Sequence, residues 1–330
     1  MTADLIHGGA LDHMRAAFPD SPEPWIDLST GINPWPWHID TLPNTSFHHL
    51  PTRTAYNACR KAMANSFGAP QDSLVLAPGS ELLIRLLPWV IGPDRVAVLE
   101  PTYSDHAQVW QAAGCEVIRS ENPLTIADEV DAVVVCNPNN PDGQRFQPAE
   151  LLSIAEMLAR RGGWLIVDEA YADLDPSLSL APYAGHDGLI LLRSFGKFFG
   201  LAGVRLGALI APPAICSAMQ DQLGTWPVSG PALQIGARAY DDQVWQSEIR
   251  QQLRNACQRL DAILARAGLT VAGGTDLFRL VDTENANVLW DKLGRAGIYV
   301  RRFDQSDRLI RIGLPATDSA AARLAAALNP

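Results

Sequence analysis

The chain has 330 residues, 47% hydrophobic and 19% charged, with a formal net charge of −10 at pH 7. That balance supports a folded core and excludes disorder, while the acidic excess argues against nucleic acid or an anionic membrane surface as a partner. Cys59, Cys115, Cys136, Cys216 and Cys257 are widely spaced with no CxxC pair, which suggests neither a disulfide framework nor a zinc site and fits a reducing cytoplasm.

Residues 1–9 lack the basic-then-apolar pattern of a secretory signal. The most apolar stretch, 82–92, is interrupted by Arg85 and Pro88 and is too short to span a bilayer, so a soluble protein is expected. Between residues 19 and 51 stand Pro19, Pro22, Pro24, Pro34, Pro36, Pro43 and Pro51, a density that forbids long helices and predicts an extended arm over 1–45, lying across another part of the protein.

From residue 54 the pattern alternates. A helix is expected over 54–67, a strand over 73–77 and a helix opening at Gly79 and Ser80. Strand 95–99, helix 104–113, strand 132–136, helix 148–160, strands 164–167 and 189–192 and an apolar run over 204–210 follow. Strands separated by such helices predict an α/β fold with a mostly parallel sheet, here over 46–240, whose ligands sit at the carboxyl ends of the strands. A long polar helix over 243–267 then leads into strands 277–281 and 309–312 and helices 286–296 and 318–328. Residues 241–330 read as a smaller α+β domain with its connecting helix.

Each strand of the large domain ends in a polar cluster: Pro78-Gly-Ser-Glu81, Glu100-Pro-Thr-Tyr103, Asn137-Pro-Asn-Asn-Pro-Asp-Gly143, Asp168-Glu-Ala-Tyr171 and Ser194-Phe-Gly-Lys197. Taken singly each has a plain structural reading: a lysine is usually a surface charge, asparagines between prolines make turns, Asp168 could cap a helix, and Tyr103 could be core packing. Five clusters in order on one sheet edge instead suit pyridoxal 5'-phosphate (PLP). Lys197 would carry it as a Schiff base and move protons. Asp168 would hold its ring nitrogen protonated. Asn140 and Tyr171 would bond its phenolic oxygen, and Tyr103 would stack on the ring. Gly79, Ser80 and Glu81 at a helix start, with Ser194 and Arg205, would take its phosphate.

These segments, NPNNPDG (137–143), DEAY (168–171), SFGKFFGLAGVRLG (194–207) and RIGLP (311–315), resemble those of fold-type I PLP enzymes. The branch is the one shared by histidinol-phosphate aminotransferases and L-threonine-O-3-phosphate decarboxylases, and the resemblance covers nearly the whole chain. His7-Gly8-Gly9 and Asp27-Leu-Ser-Thr-Gly-Ile-Asn-Pro34 are similar to segments of the decarboxylases of cobalamin biosynthesis. The resemblance implies a homodimer acting on a phosphorylated amino acid. It implies that Arg311 binds the α-carboxylate, that Asn33 and Asn140 contact substrate, and that the arm, with His7 and Gly8, helps enclose the substrate phosphate. An aminotransferase acting on a similar substrate is the alternative.

Arg301, Arg302 and Arg308 are further candidates for the substrate phosphate. Arg301 best matches the family's pattern, and Arg302 and Arg308 read equally well as a solvated positive face. The pattern's usual threonine is Asp142 here, which alters the turn. Its tyrosine-proline is Leu50-Pro51, which leaves open whether Tyr56 serves a neighbouring subunit. His7, His13, His48 and His49 have no helical ligand spacing, and no metal is expected.

Overall fold

The computed structural model describes residues 8–303 and 306–329. The chain divides into two compact units, a large one, Pro36–Gln246, and a small one formed by Met1–Trp35 with Ser247–Pro330.

Strand β1 (Ile26–Leu28) belongs to the small unit. The large unit holds β2 (Leu74–Ala77), β3 (Arg95–Leu99), β4 (Glu116–Ser120), β5 (Ala132–Cys136), β6 (Trp164–Asp168), β7 (Leu189–Ser194) and β8 (Gly207–Ile210), in the order β2-β8-β7-β6-β5-β3-β4. Neighbours from β7 through β4 pair in parallel, and β8 runs antiparallel to both β2 and β7. Every residue of β5 and β7 is buried, as expected where helices cover both faces of a sheet and the strands read as continuous apolar runs. Val98, Val134, Ile166, Ile190 and Leu209 pack with Leu83 and Leu87 of helix Ser80–Ile91 and with Trp110 of helix Asp105–Ala112. Each such side chain contributes roughly 1.5–3 kcal/mol by leaving water. This core makes the strand ends a rigid platform.

The small unit adds β9 (Thr270–Thr275), β10 (Phe278–Asp282), β11 (Ile298–Phe303) and β12 (Ser306–Gly313) in a sheet ordered β1-β11-β12-β10-β9. The segment expected as a separate arm supplies an edge strand: β1 pairs in parallel with β11, Asp27 opposite Tyr299. Arg323 fixes this segment by donating to the carbonyls of Pro22, Pro24 and Ala296 at 2.7–2.9 Å. Met14 and Phe18 pack on Tyr299 with Trp25 and Trp290 alongside. The compact units therefore change at 35/36 and 246/247, whereas composition placed the changes at 45/46 and 240/241. Proline density marks extended chain, not where that chain is docked.

Candidate active site

Register explains why residues far apart in sequence share one edge of the large sheet. Cys136 stands opposite Asp168, Asp168 opposite Leu192, and Gly207 opposite both Ser194 and Ala77. The tails after β2, β5, β6 and β7 therefore emerge together beside the start of antiparallel β8.

On the β2–β8 side these tails build an anion cup. Gly79 has φ 93°, and a Cβ there would lie 2.8 Å from Nη2 of Arg205. A Cβ on Gly207 would lie 2.6 Å from the Ser80 nitrogen. Only bare backbone lets the first turn of helix Ser80–Ile91 approach the guanidinium this closely. The helix start has no side-chain cap, so its N–H groups are offered to a ligand. Arg205 is the one described non-glycine residue with positive φ, 54°, a conformation that costs about 1–3 kcal/mol and clusters at ligand clamps.

Lys197 is half-buried, and its Nζ donates to Ser194 Oγ at 3.4 Å and lies 5.5 Å from the centre of the Tyr171 ring. Its loop is fastened from below by Phe195 stacked on Phe199 at 4.6 Å and by Phe199 stacked on Trp245 at 5.6 Å. Cys136, whose thiol burial pushes well above its ordinary range, feels both Asp168 and Lys197 and takes a hydrogen bond from the Asn140 backbone.

Asp168 is 4% exposed. Its Oδ1 accepts the Ala170 N–H at 2.9 Å, and its Oδ2 lies 3.0 Å from Nε2 of His106. Burial pushes the carboxyl pKa up, but the His106 hydrogen bond and charge, Lys197 and the Ala170 amide together hold it below the ordinary 3.8. The carboxylate thus keeps its charge without solvent, as pairing with a protonated ring nitrogen requires.

His106 was not singled out in the sequence. Its partner is 62 residues away, and its only local signal is a position three residues after Tyr103, one helical turn on. Sequence also missed the supports of Tyr103. Its hydroxyl donates to Glu81 at 2.9 Å, Glu81 accepts from Arg85 at 2.7 Å, and Arg85 donates to Asp105 at 2.8 Å. The carboxylate of Glu81 therefore steadies Tyr103, while its backbone belongs to the helix start.

Asp142, the departure from the family pattern, accepts from the Asn139 amide at 2.8 Å and from the Gln144 N–H at 2.9 Å. Asn139 also joins Thr102 at 2.6 Å and the Pro101 carbonyl at 2.8 Å, which ties the tail of β5 to that of β3. Tyr56 is turned inward, its hydroxyl accepting the Leu76 N–H at 2.9 Å.

Behind the site, Arg193 sits in a closed ionic cluster. It donates to Glu169 at 2.7 Å and to Asp173, and lies 4.1 Å from the Phe67 ring centre. Burial pulls its pKa down, but Asp173 and Glu169 outweigh that and hold it far above the ordinary range. The cluster joins the ends of β6 and β7 next to Asp168 and Ser194.

The small unit carries the other expected residues. Arg301 and Arg311 are register partners on neighbouring strands. Arg311 is buried, donates to the Ser29 carbonyl at 2.6 Å and lies 5.1 Å from the Phe278 ring centre. Asn33 is buried and accepts the Trp35 N–H at 2.9 Å. Arg302 lies over Trp290 and bonds Asn287, and Arg308 pairs with Asp282. Those two are thus engaged in the surface structure. Gly8 is described, and His7 lies outside the described residues. Among the described residues no cluster of potential ligands would hold a metal, and no helix is long and apolar enough to cross a membrane.

The family model for aminotransferase class I and II matches residues 23–328. A threonine-phosphate decarboxylase of a Sinorhizobium species is 41% identical over 99% of this chain and 98% of its own length. A second protein of that name, from Pseudomonas aeruginosa, is 42% identical over 98% and 97%. The crystal structure of histidinol-phosphate aminotransferase from Sinorhizobium meliloti, in complex with pyridoxal-5'-phosphate, superposes with a TM-score of 0.82 at 20% identity, covering 97% of this chain and 93% of that one.

Proposed function

This chain belongs to the aminotransferase class I and II family, and we propose that it is a PLP-dependent decarboxylase. In this reading it converts L-threonine O-3-phosphate to (R)-1-amino-2-propanol O-2-phosphate and CO2, a step of cobalamin biosynthesis. The observation that carries the reading is the likeness of 41–42% identity to threonine-phosphate decarboxylases over nearly the full length of each chain.

The residues fit the cofactor. The bare cup of Gly79, Ser80, Ser194 and Arg205 suits its phosphate, Asp168 its ring nitrogen, and Lys197 its aldehyde, while Tyr103, Asn140 and Tyr171 would flank the ring. When bound, it supplies an electron sink for the pair left at Cα when a bond there breaks.

The chain's own groups do the rest. His106 keeps Asp168 charged. Arg311 holds the substrate α-carboxylate, and by holding it sets which bond at Cα is aligned to break. Arg301 and the Gly8 segment take the substrate phosphate, with Asn33 and Asn140 as polar contacts. The Cα–carboxylate bond would break, its electron pair staying at Cα while CO2 leaves, and the Lys197 amine, protonated from solvent to the ammonium, would deliver that proton to Cα.

The enzyme works as a cytoplasmic homodimer in this reading. The exposed side chains of Phe47 (64%) and Leu50 (64%), three residues apart in the chain, support a subunit contact in the large unit, since large apolar groups close together on a surface mark interaction sites. The test of function is CO2 release from L-threonine O-3-phosphate by PLP-loaded protein without a keto-acid acceptor. Multiple turnovers are expected. No release, with conversion only when 2-oxoglutarate is supplied, would make it an aminotransferase instead.

A further inference from the structure

The Asp27-Leu-Ser29 segment carries no role in the chemistry above, yet its contacts reach two groups that do. Ser29 is fully buried. Its Oγ–H donates to Asp27 Oδ1 at 2.6 Å, and the same carboxylate oxygen accepts the Ser29 N–H at 2.9 Å. With its proton so directed, Oγ accepts the Gly9 N–H at 2.8 Å. The Tyr299 side chain is a further neighbour of the same hydroxyl. The Ser29 hydroxyl thus donates to one backbone-anchored group and accepts from another.

The Ser29 carbonyl is occupied too. It accepts Nη2 of Arg311 at 2.6 Å, and the same oxygen would lie 2.6 Å from a Cβ at Gly8. Gly8 therefore rests directly on the carbonyl that orients the guanidinium. Asp27 and Tyr299 are partners across β1 and β11, so the arrangement is built on sheet backbone and not on a free loop.

We infer that Ser29, oriented by Asp27, is a positioning residue for substrate recognition: its side chain holds the Gly8–Gly9 backbone in place while its carbonyl aims Arg311. The role rests on the proposed function in one respect, that the Gly8 segment and Arg311 contact the substrate's phosphate and carboxylate. Its physical content is a coupling between the two. Loosening the Gly9 hydrogen bond lets the segment lift, and the anion site loses one wall.

The test uses the full-length PLP-loaded enzyme and its Ser29→Ala and Asp27→Asn variants. Hydrogen exchange of the peptide spanning Gly8–Leu11 is measured without substrate, and kcat and KM are measured with L-threonine O-3-phosphate. For Ser29→Ala we expect faster exchange at the Gly9 amide with β11 and β12 unchanged. KM should rise about three- to tenfold, the size of one net hydrogen bond, with kcat within about twofold. Asp27→Asn keeps an acceptor at the same place and should show both effects to a smaller degree than Ser29→Ala. Unchanged exchange at Gly9, or a fall in kcat at constant KM, would overturn the assignment. If the wild type releases no CO2, affinity for L-threonine O-3-phosphate is read from the absorption change of the bound cofactor. Weaker binding by Ser29→Ala then upholds the positioning role although the decarboxylase reading has failed, and equal binding overturns the role itself.

Discussion

Arg193 in the large unit and Arg311 in the small unit are both buried, but their surroundings differ in kind. Arg193 is met by the carboxylates of Glu169 and Asp173, whereas Arg311 donates to the Ser29 carbonyl and stands across from Arg301. Two carboxylates tie Arg193 to the ends of β6 and β7 and make it a rivet. A backbone carbonyl instead orients the guanidinium of Arg311. Burial alone thus does not separate a structural arginine from one proposed to bind substrate, and the kind of group that holds it does.

Substitutions at four positions sharpen that contrast. Lys197→Ala should have the largest effect, a loss of activity of at least about 10³-fold together with loss of the visible absorption of lysine-bound cofactor, while substrate-side groups stay intact. Persistence of that absorption would refute the assignment of Lys197. Arg193→Met should act on stability first. Leaving Glu169 and Asp173 buried without their cation should cost about 3–5 kcal/mol, read from denaturant unfolding, and a change under 1 kcal/mol would show the cluster is not a rivet. Arg311→Lys keeps the charge but loses the planar fork. It should raise KM by about 10–100-fold with the cofactor spectrum unaltered, whereas an altered spectrum with constant KM would place Arg311 on the cofactor.

The smallest effect concerns pH. The depressed pKa of Asp168 contributes stability that is present above the ordinary value near 3.8 and is lost as pH falls through the lower folded value. His106→Leu removes the hydrogen bond and charge that pull it down and leaves burial, which pushes it up. The acid limb of the kcat profile should then move to higher pH, and His106→Gln, which retains a donor, should move it less. Equal profiles for the two variants would show that the hydrogen bond does not set the pKa.

Local pattern pointed to the polar strand ends proposed for the cofactor and left the residues proposed for the substrate to the resemblance. Strands 95–99 and 132–136 and the helix start at Ser80 agree with the structure to the residue, because buried parallel strands are continuous apolar runs and Gly79 breaks the chain before a helical period. Strand β1 was not legible. It has three residues, and its partner β11 begins about 270 positions later in the chain, so no local period announces it. Helices Pro213–Leu223 and Gly230–Asp241 also escaped, since prolines and glycines at their starts resemble loop punctuation. The roles of His106, Glu169 and Ser29 are set by partners across the fold, and spacing cannot reveal such partners.

The inward turn of Tyr56 bears on how the protein stays dispersed. Strand β2 lies at the edge of the seven-stranded sheet, where an open N–H is a template for a strand from another molecule. By accepting the Leu76 N–H, the Tyr56 hydroxyl occupies that position from within the same chain, and the helix that carries it, Arg53–Phe67, shields the edge against stray β-pairing.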